Sequence, residues 1–346
     1  MPSSAVYSGK ESFFGDRELT EVTFAKGVTR IGEEAFRRCS SLAAITIPDG
    51  VTTIGVNAFS GCSSLTAITI PDGVTMIGDS AFRGCSSLAA STIPDTVATI
   101  DDYAFYGCSS LKAIIIPDGV TIIGNGTFRG CSSLTAITIP DGVTTIGGSA
   151  FEGCSSLAAV TIPDSVTTIV FYAFDGCSSL ADITIPDGVT TISNGTFQGC
   201  SSLPAITIPD SVTMIGSWAF CGCSSLAAIT IPDSVTTIGL HAFDGCTALT
   251  RLYLSPDVFI GEDCFTNCTP LISAAADQNM PTVEALLHSR WHAIRERVTV
   301  LSCLKALFST QKKRKRQDGG EAQTLGVTAV RKRLPKVMWR VILEFL

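Results

Sequence analysis

The sequence predicts a mainly β solenoid built from stacked coils of 23 residues. A helical tail follows at the C-terminus, so the chain as a whole is of α+β type. Leucines recur every 23 residues from Leu19 to Leu249, and Leu271 comes one residue early. A phenylalanine ladder keeps the same step from Phe36 to Phe243, and a cysteine ladder keeps it from Cys39 to Cys246. A fixed period of this length is typical of repeat architectures, because a single unit buries its apolar face only by stacking on its neighbours.

One unit, residues 65–87, has the sequence LTAITIPDGVTMIGDSAFRGCSS. Apolar and polar residues alternate from Ile68 to Ile70, which predicts a strand with one buried face. The segment Ile70-Pro71-Asp72-Gly73 predicts a type I turn with proline second. Residues 74–77 then form a second extended piece, and residues 79–82 a short turn. The positions expected to face inward are Leu65, Ile68, Ile70, Val74, Ile77, Ala81, Phe82 and Cys85.

The consensus L-x-x-I-x-I-P-D-x-V-x-x-I-G-x-x-A-F-x-G-C-S-S resembles the BspA-like, or treponeme-type, class of leucine-rich repeats. The resemblance covers Leu19 to about Leu271. It implies a leucine-rich repeat solenoid of eleven to twelve coils that binds other proteins, since many members are surface or interaction proteins of bacteria and protists. The family brings no catalytic chemistry with it.

The flanking segments suggest four further units. Residues 1–18 are an N-terminal cap or a partial repeat, because Phe13 precedes Leu19 by the offset that separates Phe36 from Leu42. The period stops after the solenoid of residues 19–271. Helical spacing of apolar residues after Pro281 predicts a helical cap over residues 272–309. A basic linker, 310–333, and a terminal amphipathic helix, 334–346, follow.

The tail carries two motifs. The basic cluster Lys312, Lys313, Arg314, Lys315 and Arg316 resembles a nuclear import signal, although such charge runs also serve as solvated linkers. The segment LPKVMWRVILEFL at 334–346 resembles the first helix of an F-box, which implies binding to an adaptor of a ubiquitin ligase. The alternatives are a helix that packs on the cap, docks in a partner's groove or lies on a membrane surface.

Composition separates an acidic solenoid from a basic tail. Residues 1–273 hold 10 Lys and Arg against 25 Asp and Glu, a net charge of −15, whereas residues 274–346 hold 14 against 6, a net charge of +8. An acidic rod argues against nucleic acid binding along the solenoid. No apolar run reaches the length of a transmembrane segment or a signal peptide. These features predict a cytoplasmic or nuclear protein, with the cell surface as the alternative.

Ten of the fourteen cysteines belong to the ladder, at an inward position. They are interpreted as reduced core thiols rather than a disulfide framework. Three sequons, at Asn125, Asn194 and Asn267, matter only for a secreted chain.

The sequence predicts no enzyme, no cofactor and no metal site. Glu284, His288 and His292 would share one helical face, yet the string lacks the HExxH pattern and a fourth ligand, so a solvated face explains the spacing equally well. His241 is the only histidine of the solenoid, and no nucleophile is paired with it by spacing.

Comparison among the repeats locates the candidate binding surface. The outward strand positions are nearly uniform alanine and threonine, whereas the two residues before the Ala-Phe pair and the one after it vary. The candidates there for partner binding are Tyr103, Tyr106, Arg129, Phe171, Tyr172, Trp218 and His241. The alternative is neutral drift in a recently duplicated array. Three functions remain: a protein-protein interaction scaffold, a substrate receptor for ubiquitin ligation, and a cell-surface adhesion protein.

Overall fold

The computed structural model describes residues 3–254 and 258–271. In them the chain winds as a parallel β-solenoid whose coils lie about 23 residues apart, as the period predicts. At the N-terminal end the strand Ser3–Tyr7 pairs in parallel with Leu19–Phe24. Every later coil has two short strands and one longer turn, which form three faces of the stack.

The first strand face carries the alanine and threonine positions. Its strands pair in parallel and in register, so that Ala44 lies beside Ala67 and Thr46 beside Thr69. An isolated bridge between Ile115 and Thr138 continues the ladder where the regular pairing pauses. The strands are Ala44–Thr46, Ala67–Thr69, Ala90–Thr92, Ala113–Ile114, Ala136–Thr138, Ala159–Thr161, Asp182–Ile183, Ala205–Thr207, Ala228–Thr230 and Arg251–Tyr253.

The second strand face is made of two-residue strands, each with one inward isoleucine. Its pairs are also parallel and in register, as Ile54 with Ile77. The strands are Arg30–Ile31, Thr53–Ile54, Met76–Ile77, Thr99–Ile100, Ile122–Ile123, Thr145–Ile146, Thr168–Ile169, Thr191–Ile192, Met214–Ile215, Thr237–Ile238 and Phe259–Ile260.

The turn between the two strand faces differs by one residue from the predicted register. The Val74 amide donates to the Pro71 carbonyl at 3.0 Å, so proline is the first residue of the turn and not the second. Proline has no amide hydrogen to donate to a ladder, so the strand ends there. Asp72 and Gly73 then occupy the two central positions, where their backbone leaves the sheet.

The third side, here called the turn face, is built from six-residue turns such as residues 79–84. Backbone hydrogen bonds join each turn to the next one, as from the Phe59 amide to the Ala81 carbonyl at 2.8 Å. The residue immediately before the ladder alanine has a positive φ in every coil. The turn face is therefore a third hydrogen-bonded ladder. Its residues form turns that contain one left-handed residue per coil, and they do not form strands.

All eight inward positions predicted for residues 65–87 are buried, and the phenylalanine ladder forms a continuous stack in the centre of the rod. Adjacent rings from Phe13 to Phe265 have centroids 5.3 to 5.8 Å apart and interplanar angles of 1° to 17°. Offset stacking at these separations adds to the burial of each ring. Phe13, outside the regular repeat, extends the stack by one ring.

The ten ladder cysteines are buried and free, as predicted. Each thiol donates to the carbonyl of the phenylalanine 26 residues earlier, as from Cys62 Sγ to the Phe36 oxygen at 3.1 Å, and the acceptor for Cys39 is Phe13. The next acceptor is the Phe59 oxygen, 3.2 Å from Cys85 Sγ. Burial raises the pKa of the Cys85 thiol to about 12, so the thiols stay protonated and able to donate.

The tail predictions lie outside the described residues. These are the cap at 272–309, the linker at 310–333 with its basic cluster, the amphipathic helix at 334–346, and the cluster of Glu284, His288 and His292. Within residues 3–254 and 258–271, no helix has the length and apolarity to cross a membrane.

Candidate interaction surface on the turn face

Two columns of side chains run along the turn face. The left-handed column holds the residue two before the stacked phenylalanine of each coil: Glu34, Asn57, Ser80, Tyr103, Gly126, Ser149, Tyr172, Gly195, Trp218, His241 and Asp263. The outer column holds the residue just after the ladder phenylalanine: Arg37, Ser60, Arg83, Tyr106, Arg129, Glu152, Asp175, Gln198, Cys221, Asp244 and Thr266. Six of the seven predicted candidates fall in these columns, and Phe171 lies one residue before the left-handed column.

Four bulky side chains occupy the left-handed column. The φ angles are 56° at Tyr103, 57° at Tyr172, 57° at Trp218 and 54° at His241. A left-handed conformation costs an L-residue roughly 1–2 kcal/mol, and Gly, Asn, Asp and His are its more usual occupants. Gly, Asn or Asp fills four of the seven remaining coils of the column. The fold thus holds the three large rings of Tyr103, Tyr172 and Trp218 in a backbone geometry that disfavours them, and His241 is a more usual occupant.

The two tyrosines of the left-handed column lie over a glycine in the following coil. A Cβ on Gly126 would lie 2.5 Å from the Tyr103 ring, and one on Gly195 would lie even closer to the Tyr172 ring. Both glycines stand in the variant N-G-T-F. Each tyrosine therefore requires a glycine 23 residues later, a relation that the sequence displays but that sequence analysis missed.

The N-G-T-F variant also explains two of the three sequons. The exposed Asn125 side chain accepts from the Gly148 amide at 2.8 Å and donates to the Asp102 carboxylate at 3.0 Å. Thr127 is buried and donates to the Gly124 carbonyl at 2.9 Å. These residues link three successive coils, so the motif has a structural role on this face.

Phe171 is the most exposed of the candidates, with 52% of its surface accessible. Its ring lies over Gly148 of the preceding coil, where a Cβ would come within 2.9 Å. It contacts Tyr172 edge-on, with centroids 6.1 Å apart. The pair therefore spans three coils, with Phe171 directed backward and Tyr172 forward along the rod.

A second group surrounds Tyr106. The Tyr103 ring meets it edge-on at 6.2 Å, and the Arg83 and Arg129 guanidinium carbons lie 4.7 and 5.7 Å from its centroid. Arg129 also forms an ion pair of 2.7 Å with Glu152 in the next coil. Sequence analysis missed Arg83 and Glu152, although both stand in the same repeat position as Tyr106 and Arg129.

The third group is the stacked pair of Trp218 and His241, with centroids 6.1 Å apart and planes inclined by 16°. His241 Nδ1 lies 3.8 Å from the Asp244 carboxylate and makes no hydrogen bond. Cys221 lies in the outer column of the Trp218 coil and is half-buried.

The structure thus divides the predicted set into three groups along one side of the rod. Most of the rings are half-buried against neighbouring coils rather than exposed. The face also carries a perturbed acid: burial, together with the nearby Glu152 carboxylate, raises the pKa of Asp175 to about 6, and the Arg129 charge partly opposes this. The surroundings of Asp175 therefore disfavour its ionised form.

The residues that the structure describes do not include any group of three or more side chains placed to hold a metal ion. The first strand face has little chemical variety, since alanine and threonine alternate with the inward isoleucines. The turn face carries aromatic, basic and acidic groups in most of its coils, whereas the first strand face has only isolated ones, such as Asp182, Arg251 and Tyr253.

A family model described as "BspA type Leucine rich repeat region (6 copies)" matches residues 7–135, 98–204 and 190–289. Among solved structures, the chain is similar to a leucine-rich repeat protein of Bacteroides ovatus, with 31% identity, coverage of 78% of this chain and 81% of the other, and a TM-score of 0.51. It is also similar to a leucine-rich cell surface protein of Faecalibacterium prausnitzii, with 36% identity, coverage of 72% and 76%, and a TM-score of 0.51.

The pneumococcal vaccine antigen PcpA shares the fold at 18% identity, covering 81% of this chain and 83% of its own, with a TM-score of 0.52. Among curated proteins no relative matches. The matches indicate no enzymatic family.

Proposed function

The chain belongs to the BspA type leucine-rich repeat family, and from that premise we propose that it is a non-catalytic scaffold that binds other proteins through its turn face. The observation that carries the proposal is the placement of Tyr103, Tyr172, Trp218 and His241 at left-handed positions. Every coil has this φ, so the repeat enforces the backbone geometry, and the large aromatic side chains distinguish these four positions from the rest of the column.

The chemistry of the turn face supports protein binding. Interfaces are enriched in Trp, Tyr and Arg, and a few such anchors provide most of the binding energy. The rings are pre-packed against glycines of neighbouring coils, so they lose little conformational entropy when a partner docks. The strand faces offer fewer Trp, Tyr and Arg anchors, because most of their outward positions are threonine or alanine and the exposed apolar residues there, such as Ile122 and Phe259, stand singly.

We place this scaffold at the cell surface. A relative with 36% identity is described as a cell surface protein, and the expected cytoplasmic or nuclear location has no support from the relatives. Buried, protonated thiols are compatible with an oxidising exterior, since thiolates are needed for disulfide formation. The receptor role in ubiquitin ligation has no support either, because the family match ends at residue 289, before the F-box-like segment.

Crosslinking followed by mass spectrometry on intact cells tests the binding surface. A triple variant with Tyr103→Ser, Tyr172→Ser and Trp218→Ser removes three rings, and serine already occupies the same column at Ser80 and Ser149. We expect crosslinked partners of the wild-type chain to disappear from this variant.

The matched control carries Thr69→Ser, Thr138→Ser and Thr161→Ser on the first strand face, and it should keep every partner. If partners still crosslink to the variant without the rings but not to the threonine variant, the binding surface is the first strand face and not the turn face. Biotinylation of intact cells with a membrane-impermeant reagent tests the location, and an unlabelled chain would exclude the cell surface.

A further inference from the structure

The outer column changes sign at its middle. We number the coils so that coil 1 contains Phe36 and coil 10 contains Phe243. The charged residues of coils 1–5 in this column are all basic, and those of coils 6–10 are all acidic. The basic residues are Arg37, Arg83 and Arg129; the acidic ones are Glu152, Asp175 and Asp244. The change falls between Arg129 and Glu152, in adjacent coils.

Such a column is complementary to itself when it is turned end over end. A twofold axis between coils 5 and 6 sets coil n of one copy against coil 11 − n of the other, as an isologous interface requires. Arg129 then faces the partner's Glu152, and Arg37 faces the partner's Asp244. Each of these pairs occurs twice, once on either side of the axis.

Two coil pairs of the left-handed column are compatible with the same axis. Under this axis Tyr103, in coil 4, faces the partner's Tyr172 from coil 7, and Glu34 faces the partner's His241. Each ring leans over the glycine of the coil that follows it, so the Tyr103 ring and the partner's Tyr172 ring lie in the same half of the contact without stacking on each other. Tyrosine is favoured in the cores of interfaces. The outer column therefore selects the axis, and the left-handed column is compatible with it.

Groups on this face also lack partners within the chain. Arg83 makes a cation–π contact with Tyr106 but no ion pair with any residue in the described part of the chain. Asp175 is half-buried beside Glu152, and its pKa is raised to about 6. The twofold arrangement brings the partner's Tyr106, and the guanidinium groups that flank it, over Asp175.

We infer that the turn face binds the turn face of a second copy of this chain, antiparallel, about a twofold axis between the coils of Arg129 and Glu152. The inference rests on the proposed function, because it names one partner for the proposed surface. Ten coils at about 4.8 Å spacing and a width of roughly 10 Å give on the order of 500 Å² per copy, the small end of interface sizes. The dimer is therefore weak, and salt weakens the ion pairs across the axis.

Sedimentation velocity of the full chain, at loading concentrations from about 1 to 100 µM and at low salt, tests the inference in the range expected for a small interface. The wild-type chain should shift from monomer to dimer with concentration. Arg129→Glu and Glu152→Arg should each abolish the shift, since each variant opposes like charges across the axis. An equimolar mixture of the two variants should restore a heterodimer, because every contact across the axis is again between opposite charges.

The double variant R129E/E152R should dimerise like the wild type, and it also restores the ion pair within the chain, which separates association from folding. Lys112→Glu makes the same charge change away from the turn face and should not alter dimerisation. A wild-type chain that stays monomeric over the whole range overturns the inference, as does assembly that grows beyond dimers or a mixture that stays monomeric. A monomeric chain whose crosslinked partners still depend on Tyr103, Tyr172 and Trp218 would leave the proposed function standing.

Discussion

The first strand face and the turn face are built by the same repeat, yet they tolerate different changes. On the strand face, alanine and threonine recur at the outward positions, and the pairing is regular and in register. On the turn face, the residue before the ladder alanine ranges from glycine to tryptophan at nearly constant φ. Backbone geometry is uniform on both faces, and most of the chemical variety lies on the turn face, with Asp182, Arg251 and Tyr253 as exceptions on the strand face.

The reason lies in how each face is held together. Strand pairing places each side chain directly beside its equivalent in the next coil, about 4.8 Å away, where a large residue crowds its neighbours. On the turn face, a tyrosine is accommodated because a glycine follows it in the next coil. Variation there is therefore coupled between coils, and this coupling can be broken or sharpened by substitution.

The largest effect should come from the ring stack that underlies the turn face. Phe151 is fully buried and stacks on Phe128 and Phe174 at 5.6 and 5.3 Å. Phe151→Ala should lower the free energy of unfolding by about 3–5 kcal/mol, through lost transfer energy and a cavity. Thermal unfolding should show this, whereas Thr161→Ala on the strand face should change stability by less than about 0.5 kcal/mol. Equal midpoints for the two variants would contradict the inward assignment of the ladder.

A smaller effect tests the coupling between coils. Gly126→Ala should cost about 2 kcal/mol, because alanine is strained at φ 56° and its methyl group displaces the Tyr103 ring. In a Tyr103→Ser background the same change should cost about 1 kcal/mol, since only the backbone strain remains. A double-mutant cycle measures the difference.

Ser149→Ala is the matched control for that cycle. It has the same φ of 56° in the same column but follows a coil with glycine at that position. It should show no coupling to Tyr103→Ser. A coupling energy of zero between Gly126→Ala and Tyr103→Ser would mean that the tyrosine does not depend on the glycine.

Two cysteines only two positions apart, Cys221 and Cys223, should differ in reactivity, because the first lies at the surface of the turn face and the second in the core. Cys221 is half-buried in the outer column, whereas Cys223 is fully buried and burial raises the pKa of its thiol to about 12. In a Cys303→Ser background, alkylation of the native chain should give one fast thiol, and Cys221→Ser should remove it. Labelling should be at least about tenfold slower at the ladder cysteines, because reaction needs an accessible thiolate. Fast labelling of several ladder positions would show that the core is open.

The smallest effect concerns pH. The pKa of Asp175 is raised from 3.8 to about 6 in the folded chain, so below pH 6 the folded state holds a proton that the unfolded state releases. Stability from this group therefore rises as pH falls from 7 towards 4. Asp175→Asn should be more stable than the wild type at pH 7.5, and the difference should vanish near pH 4.

The stability difference between Asp175→Asn and the wild type is measured as a difference in thermal midpoint. The protein concentration is kept low, so that the chain is monomeric. Asp164→Asn, in an exposed turn, is the control and should show little change at either pH. A constant offset between the Asp175 variant and the wild type across this range would mean that Asp175 does not titrate as its surroundings indicate.

The sequence alone determined the period, the inward set and the free, buried ladder cysteines, because these follow from which residue types recur at one step. It also located the variable positions on one side of the coil. Each of these properties belongs to a single repeat or to its exact recurrence, so inspection of one coil was sufficient.

Only the tertiary structure decided how the coils relate to one another. The acceptor of each ladder cysteine thiol lies 26 residues away, on the stacked phenylalanine of the preceding coil. The left-handed φ of Tyr103, the glycine beneath its ring and the one-residue shift of the proline turn likewise arise from contacts and hydrogen bonds formed when coils stack. A repeat pattern specifies which residues are apolar, but steric fit between neighbouring backbones decides where each ring and each turn lies.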